Sequence, residues 1–145
     1  MNTPAAPVNA YLKNRVMSAS PEELRLMLLD GAIKFARQGL DALNGRNFAA
    51  MSTGITQCRN IIFELLTTIK DQHDPDLAAK VRGVYTFLYT QTVEASFEKD
   101  AVKLQKVIDL LEFERDTWVM LMQKLASERE PQATPMPARS IAIEG

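Results

Sequence analysis

Apolar residues recur along most of this chain at alternating spacings of three and four, a pattern typical of helices packed in a bundle. This spacing occurs in four segments, so we predict helices at about residues 20–43, 47–70, 75–97 and 100–127. The connections between them are short, and the predicted fold is therefore an all-α, antiparallel up-down four-helix bundle. The most regular stripe lies in the second helix and comprises Phe48, Met51, Ile55, Cys58, Ile62, Leu65 and Ile69.

The predicted helix starts have their own local signals. Ser20 can cap the first helix, Pro21 suits its first position, and Glu23 completes a capping box. Asp74 followed by Pro75 repeats this logic for the third helix. Residues 1–19 are predicted to be an irregular N-terminal arm with apolar side chains. Residues 128–145 contain three prolines and are predicted to be a disordered C-terminal tail.

The first predicted helix carries more apolar residues than one buried face requires. Its core-type stripe is Leu26, Leu29, Ile33, Ala36, Leu40 and Leu43. A second stripe contains Leu24, Leu28, Gly31, Ala32 and Phe35. An ordinary bundle helix has one apolar and one charged face. The extra stripe indicates either a central helix that contacts several neighbours or a surface that binds a partner.

The third predicted helix is also unusual, because few charges occur between Arg82 and Glu94. Tyr85 and Tyr89 lie in this stretch, and tyrosine suits a surface that a partner covers part of the time. The alternative is that both tyrosines are half-buried at the edge of the core.

Four glycines fall inside predicted helices, where each costs roughly 1 kcal/mol relative to alanine. A close approach of another helix backbone would offset this cost, and the approaching helix is either internal or supplied by a partner. The four are Gly31, Gly39, Gly54 and Gly83.

Composition and charge exclude several classes of function. The chain has 145 residues and a net charge of −1, which removes the basic footprint of a nucleic-acid-binding protein. No apolar run is long enough to span a membrane, and a single cysteine, Cys58, fits a reducing compartment, so we expect a cytoplasmic protein. His73 lies near three aspartates, but capping and solvation explain that loop better than metal binding does. We expect no enzyme activity, no metal site and no cofactor.

Three segments resemble the flagellar secretion chaperone family, FliS. They are Asn9-Ala10-Tyr11, Ser18 to Leu24, and Met27 to Phe35. Further support comes from Leu88-Tyr89, Glu94-Ala95, Asp100, Val107 to Leu111 and Trp118, so the resemblance covers about residues 8–120. This chain departs from the family pattern at Thr86, Gln91-Thr92 and Ser96, all in the third predicted helix.

The resemblance implies a cytosolic export chaperone. Such a protein would bind the C-terminal region of flagellin, prevent its premature polymerisation and help deliver it to the flagellar type III export gate. Its N-terminal arm would cover part of the binding groove in the absence of flagellin, with Val8 and Tyr11 at the matching arm positions. The alternative is a structural or regulatory four-helix module of the flagellar system that self-associates, for example as a homodimer. The candidate partner-binding residues are Val8, Tyr11, Leu12, Met17, Leu24, Leu28, Gly31, Phe35, Tyr85 and Tyr89.

Overall fold

The computed structural model describes residues 5–70 and 74–133, with side chains at residues 10, 12–70 and 74–129. Within these ranges the chain forms five helices and no strand, so the predicted all-α fold is confirmed. The helices are α1 (Ala5–Ser18), α2 (Pro21–Asn44), α3 (Phe48–Thr67), α4 (Pro75–Glu98) and α5 (Ala101–Ala133). Helices α2 to α5 correspond to the four predicted helices.

Capping side chains fix where the bundle helices begin. The Ser20 hydroxyl accepts the amide of Glu23 at 3.1 Å, and the Glu23 carboxylate accepts the amide of Ser20 at 2.9 Å. This reciprocal pair is the predicted capping box. Asp74 accepts the amide of Leu77 at the start of α4, and Asp100 accepts two amides at the start of α5. Each of these side chains satisfies amides that have no partner inside their own helix.

Helix α2 packs against α3 on one side and α5 on the other, while α4 closes the ring between α3 and α5. On the α5 side, Asp30 contacts Arg115 and Arg37 contacts Glu112, so residue numbers rise on α2 as they fall on α5. These two helices are therefore antiparallel. The core between the four helices includes Leu29, Ile33, Ile55, Cys58, Ile62, Leu65, Tyr85, Leu88, Leu104 and Leu111.

The backbones of α2 and α3 approach each other closely at two glycines. A Cβ atom built on Gly54 would lie 2.8 Å from the amide nitrogen of Gly39 and 2.9 Å from the carbonyl oxygen of Phe35. A Cβ atom built on Gly39 would lie 3.0 Å from a side-chain carbon of Ile55. The prediction that close helix approach explains helical glycines is confirmed here. By contrast, Gly83 has no such neighbour within 4 Å.

The N-terminal arm differs from the prediction of an irregular segment, because Ala5–Ser18 is helical. Pro7 lies in the first turn, where its missing amide hydrogen costs no helical hydrogen bond. From there to Ser18 the chain contains no glycine and no further proline that would interrupt a helix. The Ser18 hydroxyl donates to the carbonyl oxygen of Asn14 at 2.9 Å in the last turn.

The last helix also ends later than predicted, at Ala133 rather than about residue 127. Glu128 and Arg129 are good helix formers, so the helix continues beyond Ser127. Helix α3 ends earlier than predicted, at Thr67, and Thr68 is its C-terminal cap. The predicted disorder of residues 134–145 concerns a segment outside the described residues.

Candidate partner-binding groove

The second apolar stripe of α2 lies beside α3. Leu24, Leu28, Gly31 and Phe35 are all half-buried, whereas Leu29 and Ile33 on the core stripe are buried. Leu28 and Phe35 pack partly against the core. We call the surface formed by Leu24, Leu28, Gly31 and Phe35 of α2, with Ile61 of α3, the α2–α3 groove. A Cβ atom built on Gly31 would lie 3.3 Å from Cδ1 of Ile61, which places α3 directly beside this stripe.

The groove opens at the start of α2 into a depression of about 500 Å³. Its walls combine apolar surface from the groove with polar ends of helices, so an apolar segment with a polar group could fit there. The lining residues are Pro21, Glu22, Leu24, Arg25, Leu28, Thr67, Thr68, Lys70 and Trp118.

Arg25 connects all four bundle helices beside this depression. Its guanidinium carbon lies 5.4 Å from the centre of the Tyr85 ring and 5.1 Å from the centre of the Trp118 ring. It donates hydrogen bonds to the hydroxyl groups of Tyr85 at 2.9 Å and Thr68 at 3.2 Å. Trp118 in turn donates from Nε1 to the carbonyl oxygen of Glu22 at 3.0 Å. A guanidinium stacked on aromatic rings and hydrogen-bonded at its edge is held in a defined orientation.

Tyr85 is a core residue, with a side chain that is 1% exposed. Burial raises the pKa of its hydroxyl group, while the positive charge of Arg25 acts in the opposite direction. Tyr85 is therefore a candidate partner-binding residue that is not exposed at the surface. Tyr85 can influence the groove through Arg25, whose position its hydroxyl group helps to fix.

Tyr89 lies on a different face of the bundle from the groove. Its side chain is 36% exposed, and its ring centre is 6.4 Å from that of Phe63 on α3. Phe63 and the groove residue Ile61 are two positions apart on one helix, so they point in nearly opposite directions. Tyr89 and the α2–α3 groove are consequently separate surfaces.

Helix α1 carries exposed apolar side chains in its described part. Leu12, Val16 and Met17 are 44%, 43% and 77% exposed. The other two arm candidates, Val8 and Tyr11, lie in α1, but their side chains are outside the described residues. Leu12 and Met17 are therefore available to contact a partner or another part of the chain.

Cysteine, histidine and acidic side chains are the residues that could bind a metal ion or act as nucleophiles. Cys58 is buried in the core, and burial raises the pKa of its thiol to about 12. Asp74 acts as the predicted helix cap, while His73 lies outside the described residues. No group of three or more histidine, cysteine, aspartate or glutamate side chains forms a candidate metal site among residues that the structure describes. None of the described helices is long and apolar enough to cross a membrane.

Two functional candidates were missed in the sequence, Arg25 and the ring of Trp118. Arg25 belongs to no predicted stripe, and Trp118 supported only the resemblance to the FliS family. The two residues are far apart in the chain, and no local pattern signals that their side chains stack.

Comparisons with known proteins point to one family. Residues 4–125 match the family described as flagellar protein FliS. The flagellar secretion chaperone FliS of Bacillus subtilis is 30% identical over 123 residues, which cover 85% of this chain and 91% of that protein. The proteins of the same name from Vibrio cholerae and Salmonella typhimurium are 25% and 26% identical. Those alignments cover 77% and 83% of this chain, and 85% and 93% of the respective relatives.

Proposed function

Because this chain belongs to the FliS family of flagellar secretion chaperones, we propose that it binds the C-terminal segment of flagellin in the cytoplasm. Binding would prevent premature polymerisation of flagellin and help to deliver it to the flagellar type III export gate. In this proposal the chain acts by binding alone, without catalysis or a cofactor. The observation that supports it most is the half-buried apolar stripe of Leu24, Leu28 and Phe35 beside α3.

A groove of this kind suits an unfolded segment that gains structure when it binds. Such a segment loses conformational entropy, so it needs a long apolar surface to compensate. An amphipathic helix placed in the α2–α3 groove would bury its apolar face against Leu24, Leu28 and Phe35. Leu24 is the best residue to test, because it is half-buried and lines the depression at the end of the groove.

Calorimetry with a peptide from the C-terminal region of flagellin tests the proposal directly. We expect saturable binding to the wild-type protein and weaker binding to Leu24→Ser. Val102→Ser is the matched control, since Val102 is 65% exposed on α5, away from the groove. Absence of any complex at high micromolar peptide would refute the proposed function. Binding by Leu24→Ser that is as tight as binding by Val102→Ser and by the wild type would show that the peptide binds elsewhere.

The N-terminal arm provides a second test of the same function. If α1 can cover the groove, its docking energy is subtracted from the affinity for flagellin. Tyr11→Ala should therefore alter flagellin binding more than it alters bundle stability, as measured by calorimetry and thermal melting. A melting transition that collapses in this variant would show instead that Tyr11 supports the fold.

Self-association is the alternative function, and exposed aromatic residues on α4 and α5 favour it. Phe87 and Phe113 are 55% and 63% exposed, which is unusual for such large apolar side chains. A homodimer could bury them. Sedimentation at several concentrations, with and without the flagellin peptide, distinguishes the two functions. A tight dimer that the peptide does not affect would favour a self-associating module.

A further inference from the structure

The depression at the start of α2 contains the positive charge of Arg25, and Glu114 approaches its hydrogen-bond network because that carboxylate interacts with the hydroxyl group of Tyr85. The ion pairs among the described side chains involve Arg37, Lys103 and Arg115, and none places a carboxylate within 4 Å of Arg25. A guanidinium has five N–H donors. Hydrogen bonds to Thr68 and Tyr85 occupy one donor on each terminal nitrogen. The other three donors, including the one on Nε, have no hydrogen-bond partner among the described residues.

The surroundings of Arg25 combine charge with apolar surface. Leu24 and Leu28 form the apolar side of the depression, and Lys70 adds a second positive charge. Glu22 is the acidic residue in the lining, and its backbone carbonyl oxygen is engaged by Trp118. The guanidinium lies over the rings of Tyr85 and Trp118, which hold it in place. The Arg25 side chain therefore has little conformational entropy left to lose when a ligand binds.

We propose that this depression recognises an acidic side chain of the flagellin segment, with Arg25 as the residue that determines specificity. This inference rests on the proposed function. An aspartate or glutamate next to apolar residues would place its carboxylate on the free edge of Arg25. Its apolar neighbours would lie against Leu24 and Leu28. Arginine and carboxylate groups form paired, charge-assisted hydrogen bonds with this geometry.

The geometry favours an acidic side chain over the terminal carboxylate of a chain. Terminal carboxylates are commonly captured by clusters of free backbone amides. At the start of α2, Pro21 has no amide hydrogen, and Ser20 accepts the amide of Glu23 through its hydroxyl group and the amide of Leu24 through its carbonyl oxygen. The depression therefore presents side-chain donors rather than a backbone nest.

A charge scan of the peptide tests the proposal without altering the chaperone. Each acidic side chain of a flagellin C-terminal peptide is replaced in turn by its amide, and a separate peptide carries an amidated C-terminus. We expect one acid-to-amide change to weaken binding to the wild-type protein roughly 10- to 100-fold, since hydrogen bonds to charged groups contribute that much. Amidation of the C-terminus should change affinity less than twofold.

A double-mutant cycle then assigns the effect to Arg25. In Arg25→Gln, the same acid-to-amide change should alter affinity less than twofold. Arg37→Gln is the matched control, because Arg37 lies on α2 but pairs with Glu112 away from the groove. This control should keep the full dependence on the peptide carboxylate. Thermal melting establishes that each variant is folded.

The fluorescence of Trp118 tests the proposal in the wild-type protein, so this measurement does not require an Arg25 variant that folds. It is the single tryptophan of the chain, and its ring stacks on Arg25. Binding of the parent peptide should change its emission, and the peptide with the critical acid neutralised should change it less at equal saturation.

The possible failures are distinguishable. If the parent peptide does not bind, the proposed function and this inference both fail. If it binds but no acid-to-amide change matters, or if the critical change matters equally in Arg25→Gln, the function stands and the inference is overturned. A large effect of C-terminal amidation would assign the depression to a chain terminus and would also overturn it.

Discussion

The contact between α2 and α3 allows a quantitative prediction for two glycines with opposite surroundings. Gly54 faces the backbone of α2, where an added Cβ atom would lie only 2.8 Å from the amide nitrogen of Gly39. Gly83 lies in the exposed middle of α4, and an added Cβ atom would meet nothing within 4 Å. Alanine should therefore destabilise the fold at Gly54 and stabilise it at Gly83.

The expected magnitudes follow from two opposing effects. Alanine favours a helix over glycine by roughly 1 kcal/mol at either position. At Gly54, ordinary van der Waals contact requires the helix backbones to separate by about half an ångström, and overpacking of this kind costs about 1–3 kcal/mol. Because backbone atoms cannot rotate away, we take the upper part of that range. Gly54→Ala should lose about 1–2 kcal/mol, and Gly83→Ala should gain about 0.5–1 kcal/mol.

Urea denaturation followed by circular dichroism measures both changes. The midpoints should move in opposite directions while the slopes stay constant, since neither change should alter the surface exposed on unfolding. Gly31→Ala is a useful intermediate, because its Cβ atom would meet only the movable end of Ile61 at 3.3 Å. Its stability should fall between those of the other two variants. Equal stabilisation by alanine at Gly54 and Gly83 would refute the close approach of α2 and α3.

Three further predictions concern the core, the thiol and the first helix cap. Ile62→Ala should lower the free energy of unfolding by roughly 2–5 kcal/mol in urea titrations, because Ile62 is fully buried; a loss below 1 kcal/mol would place it outside the core. Cys58, with its thiol pKa raised to about 12, should react with a thiol reagent at neutral pH only after denaturation; rapid reaction in the native state would contradict its burial. The pKa of Glu23 is lowered by hydrogen bonds from Ser20, so its stabilising effect should be present above about pH 4.5 and be lost as pH falls through the lower folded-state pKa. Glu23→Gln should reduce this part of the acid dependence of thermal melting, and an unchanged pH profile would show that the capping box does not form in solution.

Features that depend on neighbouring residues could be predicted from the sequence. The cap at Ser20 and the start of α4 at Pro75 use hydrogen bonds that span only three residues. The core stripe of α3 was also predictable, because the helix repeat places Ile55, Ile62 and Leu65 on one face. The helix of the arm differs from the prediction of an irregular segment, because Pro7 lies in the first turn, where proline is tolerated.

The arrangement around Arg25 could not be predicted in the same way. Its contacts with Tyr85 and Trp118 join residues separated by about 60 and 90 positions, so they depend on how three helices meet. The same limitation affects Tyr85, which the sequence placed either on a partner-binding surface or half-buried at the edge of the core. Its hydroxyl group is buried because Arg25 supplies the hydrogen bond that makes burial tolerable.

The position of the groove nevertheless has a physical cause that links it to the glycines. Two helices that cross at an angle are closest at one point and separate with distance from it. Gly39 and Gly54 place that point in the second half of α2, and the depression at Leu24 lies roughly four turns away along the helix. Widening the crossing with Gly54→Ala should therefore alter the shape of the groove as well as stability. Flagellin binding should weaken in Gly54→Ala even at temperatures where it is fully folded, whereas Gly83→Ala should bind as the wild type does.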